Sequence, residues 1–194
     1  MYTQPDLDKS YWDERYRQNQ AGWDIGHSAP ALIDYCSQLV DRSIEILIPG
    51  CGYGHEVVEL VAMGFNHITV IDLSGTALEQ LEAKAGDKAR LVQGDFFEWE
   101  GEYDLIIEQT FFCAIDPSFR KRYVKKMHSL LKPSGKLMGL LFNRQFDGGP
   151  PFGGSREEYV ELFSPLFTIN ILEPCYNSIK PREGTELFME MIKK

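Results

Sequence analysis

Short apolar runs alternate with stretches of helical period along this chain. That alternation predicts an α/β fold, a doubly wound, mostly parallel sheet with helices on both faces. A second observation sharpens it. Residues 44–56 read Ile-Glu-Ile-Leu-Ile-Pro-Gly-Cys-Gly-Tyr-Gly-His-Glu, a strand that breaks at Pro49 into three glycines and passes directly into a helix. A strand, a glycine turn and a helix open a nucleotide-binding βαβ unit. The third observation is Asp72, 22 residues after Gly50 at the end of the next apolar run. An acid at that distance can take both hydroxyls of a ribose.

With 43% hydrophobic residues the chain can bury a sizeable core in one domain. Its formal net charge of −9 argues against sustained binding to nucleic acid or anionic lipid, which needs a basic face. Arg120, Lys121, Arg122, Lys125 and Lys126 form a small basic run at helical spacing, expected to be a solvated face. No secretory signal is visible and no apolar run reaches the length of a membrane span. Cys36, Cys51, Cys113 and Cys175 are far apart and form no C-x-x-C pair, as expected of reduced, mostly buried thiols in a cytoplasmic protein. No His/Cys group has metal-ligand spacing, so no metal is expected.

In chain order, residues 7–20 are predicted as a helix with Trp12 and Tyr16 on one face, followed by Trp23 after a break at Gly22. These aromatics either pack the helix onto the domain or close it over a site as a lid. Pro30 suits the first turn of a second helix that includes Leu32, Ile33, Leu39 and Val40. The first strand is apolar enough to be buried on both faces. Gly50, Gly52 and Gly54 allow close approach of a ligand or a positive φ. The helix behind them carries Val57, Val58, Val61 and Ala62 on one side and Glu56 and Glu59 on the other, and Gly64 ends it. The second strand covers 68–71 and ends at Asp72. Ser74 caps a helix with Leu78 and Leu81.

A third strand at 89–93 leads to Asp95 and Phe96, and a fourth at 103–107 leads to Glu108 and Gln109. Strand ends of this kind lie at the carboxyl edge of the sheet, where ligands bind. Asp116 and Pro117 suit the cap and first residue of a helix whose Phe119, Tyr123, Met127, Leu130 and Leu131 recur as core, stopped by 132–135. A fifth strand covers 136–142. Residues 143–155, rich in glycine and proline, are too many for a simple connector and fit a substrate-side loop. Ser155 with Glu158 matches a capping box. Residues 167–173 and 186–192 are the last two of seven strands, expected to pair as an antiparallel edge.

The glycine spacing separates two nucleotide readings. A dinucleotide G-x-G-x-x-G would need glycine at His55, whereas the third glycine is Gly54, giving G-x-G-x-G. With an apolar strand before it, this form resembles the first motif of class I S-adenosylmethionine-dependent methyltransferases, whose sheet is Rossmann-like. Other stretches narrow the likeness. They are Trp12-x-x-x-Tyr16 with Trp23-Asp24 and Gly26, Asp72-Leu73-Ser74, and Phe-Phe-Cys-Ala-Ile-Asp-Pro at 111–117. Leu131-Lys132-Pro133, Gly-Gly-Pro-Pro-Phe at 148–152, and Ser178-Ile179 before Arg182-x-Gly184-x-Glu186 follow. Together they resemble the thiopurine S-methyltransferase family, in particular its plant and bacterial halide and thiol methyltransferase branch, over almost the whole chain.

The resemblance implies strand order 3-2-1-4-5 with an antiparallel last strand. It implies one domain over 1–194, with an N-terminal helical lid (1–43), a cofactor-binding core (44–143), and a substrate-side loop, helix and last strands (144–194). S-adenosylmethionine would touch Trp12, Tyr16, Trp23, Gly50, Cys51, Gly52, Asp72, Leu73, Asp95, Phe96 and Gln109. The lid rings would hold the sulfonium by cation–π attraction, Asp72 the ribose, and Asp95 and Phe96 the adenine. Position 16 is usually tryptophan in the family, and Tyr16 keeps the aromatic face. Gln109 stands where plant members tend to carry an aromatic residue, a departure that bears on the acceptor. Phe111, Phe112 and Phe152 would wall the acceptor pocket.

The reaction implied is in-line transfer of methyl to a thiol, bisulfide, halide, thiocyanate or thiopurine. Such nucleophiles already carry the attacking pair, so no catalytic side chain is assigned and the protein's work is alignment and exclusion of water. Two other readings stand beside it. One is O- or N-methylation of a larger metabolite, with Glu108 or His27 as base. The other is a non-catalytic sensor of S-adenosylmethionine, which the glycine turn and Asp72 would serve equally well. The expected partner is a small-molecule acceptor, with no nucleic acid and no membrane, and the chain is expected to be a monomer or a weak homo-oligomer.

Overall fold

The computed structural model describes residues 6–194; residues 1–5 of the expected lid lie outside them. β1 (Ile46–Pro49) is buried at all four positions. It pairs in parallel with β2 (Ile68–Asp72) on one side and β4 (Tyr103–Gln109) on the other. β3 (Arg90–Gln93) extends the sheet beyond β2, and β5 (Leu131–Phe142) beyond β4, both in parallel. β7 (Glu186–Lys193) lies antiparallel between β5 and β6 (Phe167–Pro174), giving the order β3-β2-β1-β4-β5-β7-β6. The last two strands pair antiparallel as expected. The last strand is nevertheless interior, and β6 forms the edge.

Side chains alternate across a strand, and the two faces of the sheet carry two cores. Ile46 and Ile48 point to a core shared with α2 (Pro30–Ser37), α3 (His55–Ala62) and α4 (Gly75–Ala85). Leu47 points to the opposite core, built with α5 (Arg120–Leu130) and α6 (Arg156–Phe163). α1 (Lys9–Arg17) packs against α4. Among the described residues no helix is long and apolar enough to cross a membrane. All four cysteines are free, and Cys36, Cys113 and Cys175 are buried.

Several expectations need correction. The first helix is shorter than 7–20, because Asp8 caps it by accepting the Tyr11 N–H and Asn19 turns out of it at φ +52. The second stops at Ser37, before Leu39 and Val40. Arg42 donates to the carbonyls of Cys36 and Ser37 and so satisfies the helix end, leaving Val40 95% exposed. Glu56, expected on the polar side of α3, is buried and accepts the Ala29 N–H at 3.0 Å. Phe119, expected in the core, sits in a 3-10 turn (Pro117–Phe119) before α5 and is 43% exposed. Arg120, expected in the solvated basic face, is buried. Leu131 is core but opens β5. The 132–135 break is an irregularity in the β4–β5 pairing, with Ser134 at φ +61. The capping box is half formed. Ser155 Oγ accepts the Glu158 N–H, while the Glu158 carboxylate pairs with Arg120.

Candidate active site

A cavity of about 610 Å³ opens at the carboxyl ends of β1, β2 and β4. Its floor is the glycine turn. Gly50, Gly52 and Gly54 all have positive φ, which only glycine adopts freely. The closest neighbours of this turn are protein atoms. A Cβ on Gly50 would meet the Phe111 ring at 2.3 Å, and one on Gly54 would meet Leu81 at 2.4 Å. The glycines therefore let an aromatic wall and a helix close onto the turn.

Asp72 lines the cavity beside Gly50 and Leu73. Its Oδ1 accepts the Ser74 N–H at 2.8 Å and its Oδ2 the Gly52 N–H at 3.3 Å. The Cys51 thiol also reaches Oδ2, at 3.9 Å, so of a carboxylate's roughly four acceptor positions the less engaged ones lie on Oδ1. Desolvation, helped by the nearby Asp13 charge, pushes its pKa up to about 6, against the lowering effect of the Ser74, Gly52 and Leu73 N–H groups. Asp95 stands at the cavity rim, where its Oδ1 caps a 3-10 turn (Phe96–Glu98) by accepting the Phe97 N–H. Phe96 lies behind it, buried edge-on against Phe111 with ring centroids 5.1 Å apart.

The N-terminal segment covers the opening. Trp12, Tyr16 and Trp23 all line the cavity and meet edge to face, Trp12–Trp23 at 5.5 Å and Tyr16–Trp23 at 5.7 Å. Two anchors hold them. The buried Asp13 accepts the Ser74 hydroxyl at 2.7 Å and the Thr76 N–H at 3.2 Å, which places a negative charge on the first turn of α4. Burial alone would raise its pKa, but bonds from Lys9, Ser74 and Thr76 outweigh burial and hold the carboxyl below its usual range. Arg182 donates to the Trp23 carbonyl at 2.7 Å and pairs with Glu186, which also accepts the Ser178 hydroxyl.

Across the cavity stand Thr110, Phe111, Cys113 and Ile115 on one segment, and Pro150 and Pro151 on the 143–155 loop. Thr110 has φ +57, rare for a β-branched residue. It is held there because Glu108, completely buried, accepts the N–H groups of Phe111 and Phe112 at 2.8 Å each and the Tyr123 hydroxyl at 2.5 Å. Burial pushes the Glu108 carboxyl up to about 7.

Five expected site residues do not line this cavity. Cys51 and Gly52 lie under it, where Gly52 serves Asp72 through its N–H. Gln109 points into a small cleft beside Arg182 and Glu186, with its Oε1 unpaired among the described residues. Phe112 is core, packed on Tyr123 and Tyr159. Phe152 is buried behind the loop, and its N–H donates to the Cys113 carbonyl at 2.7 Å. The walls those two phenylalanines were expected to make are made by Phe111, Pro150 and Pro151. The two candidate bases are also displaced. Glu108 is spent on three donors, and His27 is exposed, outside the cavity, with Nδ1 against the Ser28 carbonyl.

The donors and shape suit S-adenosylmethionine. The half-buried Asp72 lines the cavity as a carboxylate able to accept from a diol, and the lining acids Asp6, Asp8, Asp72, Asp95 and Asp116 outnumber the cations Lys9 and Arg122, which favours a positively charged guest.

Comparison with known proteins agrees. The sequence model of the family described as "Thiopurine S-methyltransferase (TPMT)" matches residues 7–192. A probable thiol methyltransferase 2 of Arabidopsis thaliana is 32% identical, over 90% of this chain and 81% of its own length. A thiocyanate methyltransferase 1 of Brassica oleracea is 32% identical, over 93% and 83%. Among solved structures, the 1,6-didemethyltoxoflavin-N1-methyltransferase of Burkholderia thailandensis, with bound S-adenosylhomocysteine, shares the fold at TM-score 0.73 and 20% identity, covering 96% of this chain and 87% of its own. With nearly its full length matched, the chain belongs to the thiopurine S-methyltransferase family, enzymes whose cofactor is S-adenosylmethionine.

Proposed function

We propose that the protein transfers methyl from S-adenosylmethionine to a small soft nucleophile, a thiol or bisulfide foremost, with halide or thiocyanate taken by the same chemistry. One observation carries this. The acceptor side of the cavity is walled by aromatic rings and prolines, no histidine stands among the described lining residues, the lining Asp72, Asp95 and Asp116 each accept backbone N–H groups of their own turns, and the buried Glu108 is already held by three donors. A site without a placed base suits an acceptor that needs no proton removed in the transition state.

When bound, the cofactor supplies an electrophilic methyl on a positively charged sulfur. The chain's residues would do the rest. Asp72 takes the ribose hydroxyls, beside Gly50 and Leu73. Asp95 and the edge of Phe96 mark the adenine end. Trp12, Tyr16 and Trp23, the aromatic part of the 1–43 lid, surround the sulfonium with electron-rich surface. Phe111, Cys113, Pro150 and Pro151 wall the acceptor and exclude water. Charge disappears as an anionic nucleophile meets a sulfonium, so a dry, fixed arrangement favours the reaction.

The test is formation of S-adenosylhomocysteine, read by mass spectrometry, from the purified protein with bisulfide, an aromatic thiol, iodide, thiocyanate and a thiopurine in turn. Turnover with a sulfur nucleophile is the expected result. Cofactor binding without turnover on any of the five would overturn the reading and return the protein to a larger acceptor or a sensor.

A further inference from the structure

The two acceptor-side walls are held largely by residues that stand behind the cavity. One wall is the 110–116 segment that follows β4, and the other is the 148–154 part of the loop after β5. Arg120 lies between them. It is 6% exposed, yet it does not line the cavity. Its guanidinium stacks over the Phe112 ring, 4.8 Å from the centroid, on the first wall. Its Nη2 donates to the Gly153 carbonyl at 2.6 Å on the second. Its Nη1 pairs with Glu158, on the helix that follows that loop. The Phe152 N–H bond to the Cys113 carbonyl ties the same two walls directly.

We propose that Arg120 is a positioning residue for the methyl acceptor, setting the distance between the Phe111–Cys113 wall and the Pro150–Pro151 wall. This rests on the reading of that end of the cavity as the acceptor end. The chemistry of the side chain explains why arginine is used. A planar guanidinium can lay one face on a ring while its fork reaches two acceptors in different directions. A lysine ammonium at this position can keep the charge but cannot span both the carbonyl and the carboxylate with the same stacking. A buried cation also enforces its partners, because leaving it unpaired costs more than the pair gains. The two walls are therefore held as a unit, by a side chain that makes none of the hydrogen bonds to the glycine turn or to Asp72.

The test compares wild type, Arg120→Lys and Glu158→Gln, the last removing one partner at a side chain that is 41% exposed and so is expected to fold. Three quantities are read: calorimetric affinity for S-adenosylmethionine alone, kcat and KM for an aromatic thiol at saturating cofactor, and hydrogen exchange at the Phe152 and Gly154 amides. Misplacing a reactant lowers kcat/KM steeply, so Arg120→Lys is expected to lose about tenfold or more in kcat/KM for the thiol. Glu158→Gln should lose less in the same direction. Cofactor affinity should stay near wild type in both, and exchange should quicken at 152–154 but not in β4. Equal losses in cofactor affinity and acceptor KM, or exchange quickened throughout, would mean a general structural role and overturn the proposal. So would unchanged exchange and unchanged acceptor kinetics in both variants. If wild type itself methylates no soft nucleophile, the acceptor reading fails separately, and the exchange data alone then decide whether Arg120 joins the walls.

Discussion

The two ends of the cavity are held by different kinds of contact. At the cofactor end the holding groups belong to the turns that follow β1, β2 and β3. The N–H groups of Gly52 and Ser74 fix Asp72, and Asp95 caps its own turn. At the acceptor end the holding groups are buried side chains acting behind the walls: Glu108 under 110–112, and Arg120 reaching Gly153 and Glu158. The cofactor end is thus part of the sheet's carboxyl edge, whereas the acceptor end is two loops clamped together. Such an arrangement lets acceptor preference change by altering loops and clamps without rebuilding the sheet that binds a common cofactor.

The largest effect is expected where a clamp is removed outright. Glu108→Ala leaves three donors without a partner, two of them buried, and at about 1–3 kcal/mol for each unsatisfied group it should cost on the order of 4 kcal/mol in urea unfolding, with Glu108→Gln costing much less. A loss below about 1 kcal/mol would show that the acceptor wall is held by something else. Next comes the cofactor end. Asp72→Ala removes an acceptor of two hydroxyls and should weaken S-adenosylmethionine about a hundredfold by calorimetry, with little change in melting temperature of the free protein.

The same residue gives a pH dependence. Its pKa of about 6 lies above that of an unfolded aspartate. The carboxylate that the hydroxyls need is present above pH 6 and lost below, so affinity should fall with acidification, approaching about tenfold per pH unit, and the fall should vanish in Asp72→Asn. In the free protein the sign is opposite. A carboxyl raised on folding stabilises when protonated, so its contribution declines as pH climbs from about 4 through 6. The smallest effect is at the lid. Asp13→Ala should cost on the order of 1–2 kcal/mol in stability and raise the cofactor Kd a few-fold, by freeing α1 from the start of α4. An unchanged Kd would separate the lid from cofactor binding.

This contrast also explains what the amino-acid sequence discloses. The glycine turn, the Ser74 cap and the seven strands are legible because each rests on neighbours a few residues away, and Asp72 is legible because a βαβ unit fixes its spacing from the glycine turn. Ser74 illustrates the limit. Its capping bond to the Ala77 N–H is readable, but its hydroxyl's bond to Asp13, 61 residues earlier, is not. Arg120 reads as one charge in a basic helix face until Gly153 and Glu158 are brought to it. Phe112 and Phe152 read as pocket walls because aromatic residues in a loop look alike from either side. Their backbones hold the walls while their rings fill the core. Asp13 stands next to Trp12 in a helix rich in charge, and nothing local marks it as an anchor.

The central claim is that the site aligns an already reactive nucleophile and supplies no base. The direct measurement is the pH dependence of kcat/KM, at saturating cofactor, for two aromatic thiols of well-separated acidity. The midpoint of each profile should track the thiol's own ionisation and move from one thiol to the other. A shared midpoint, unchanged between the two thiols and moved by substitution of a residue of the protein, would reveal a base in the site and contradict the claim.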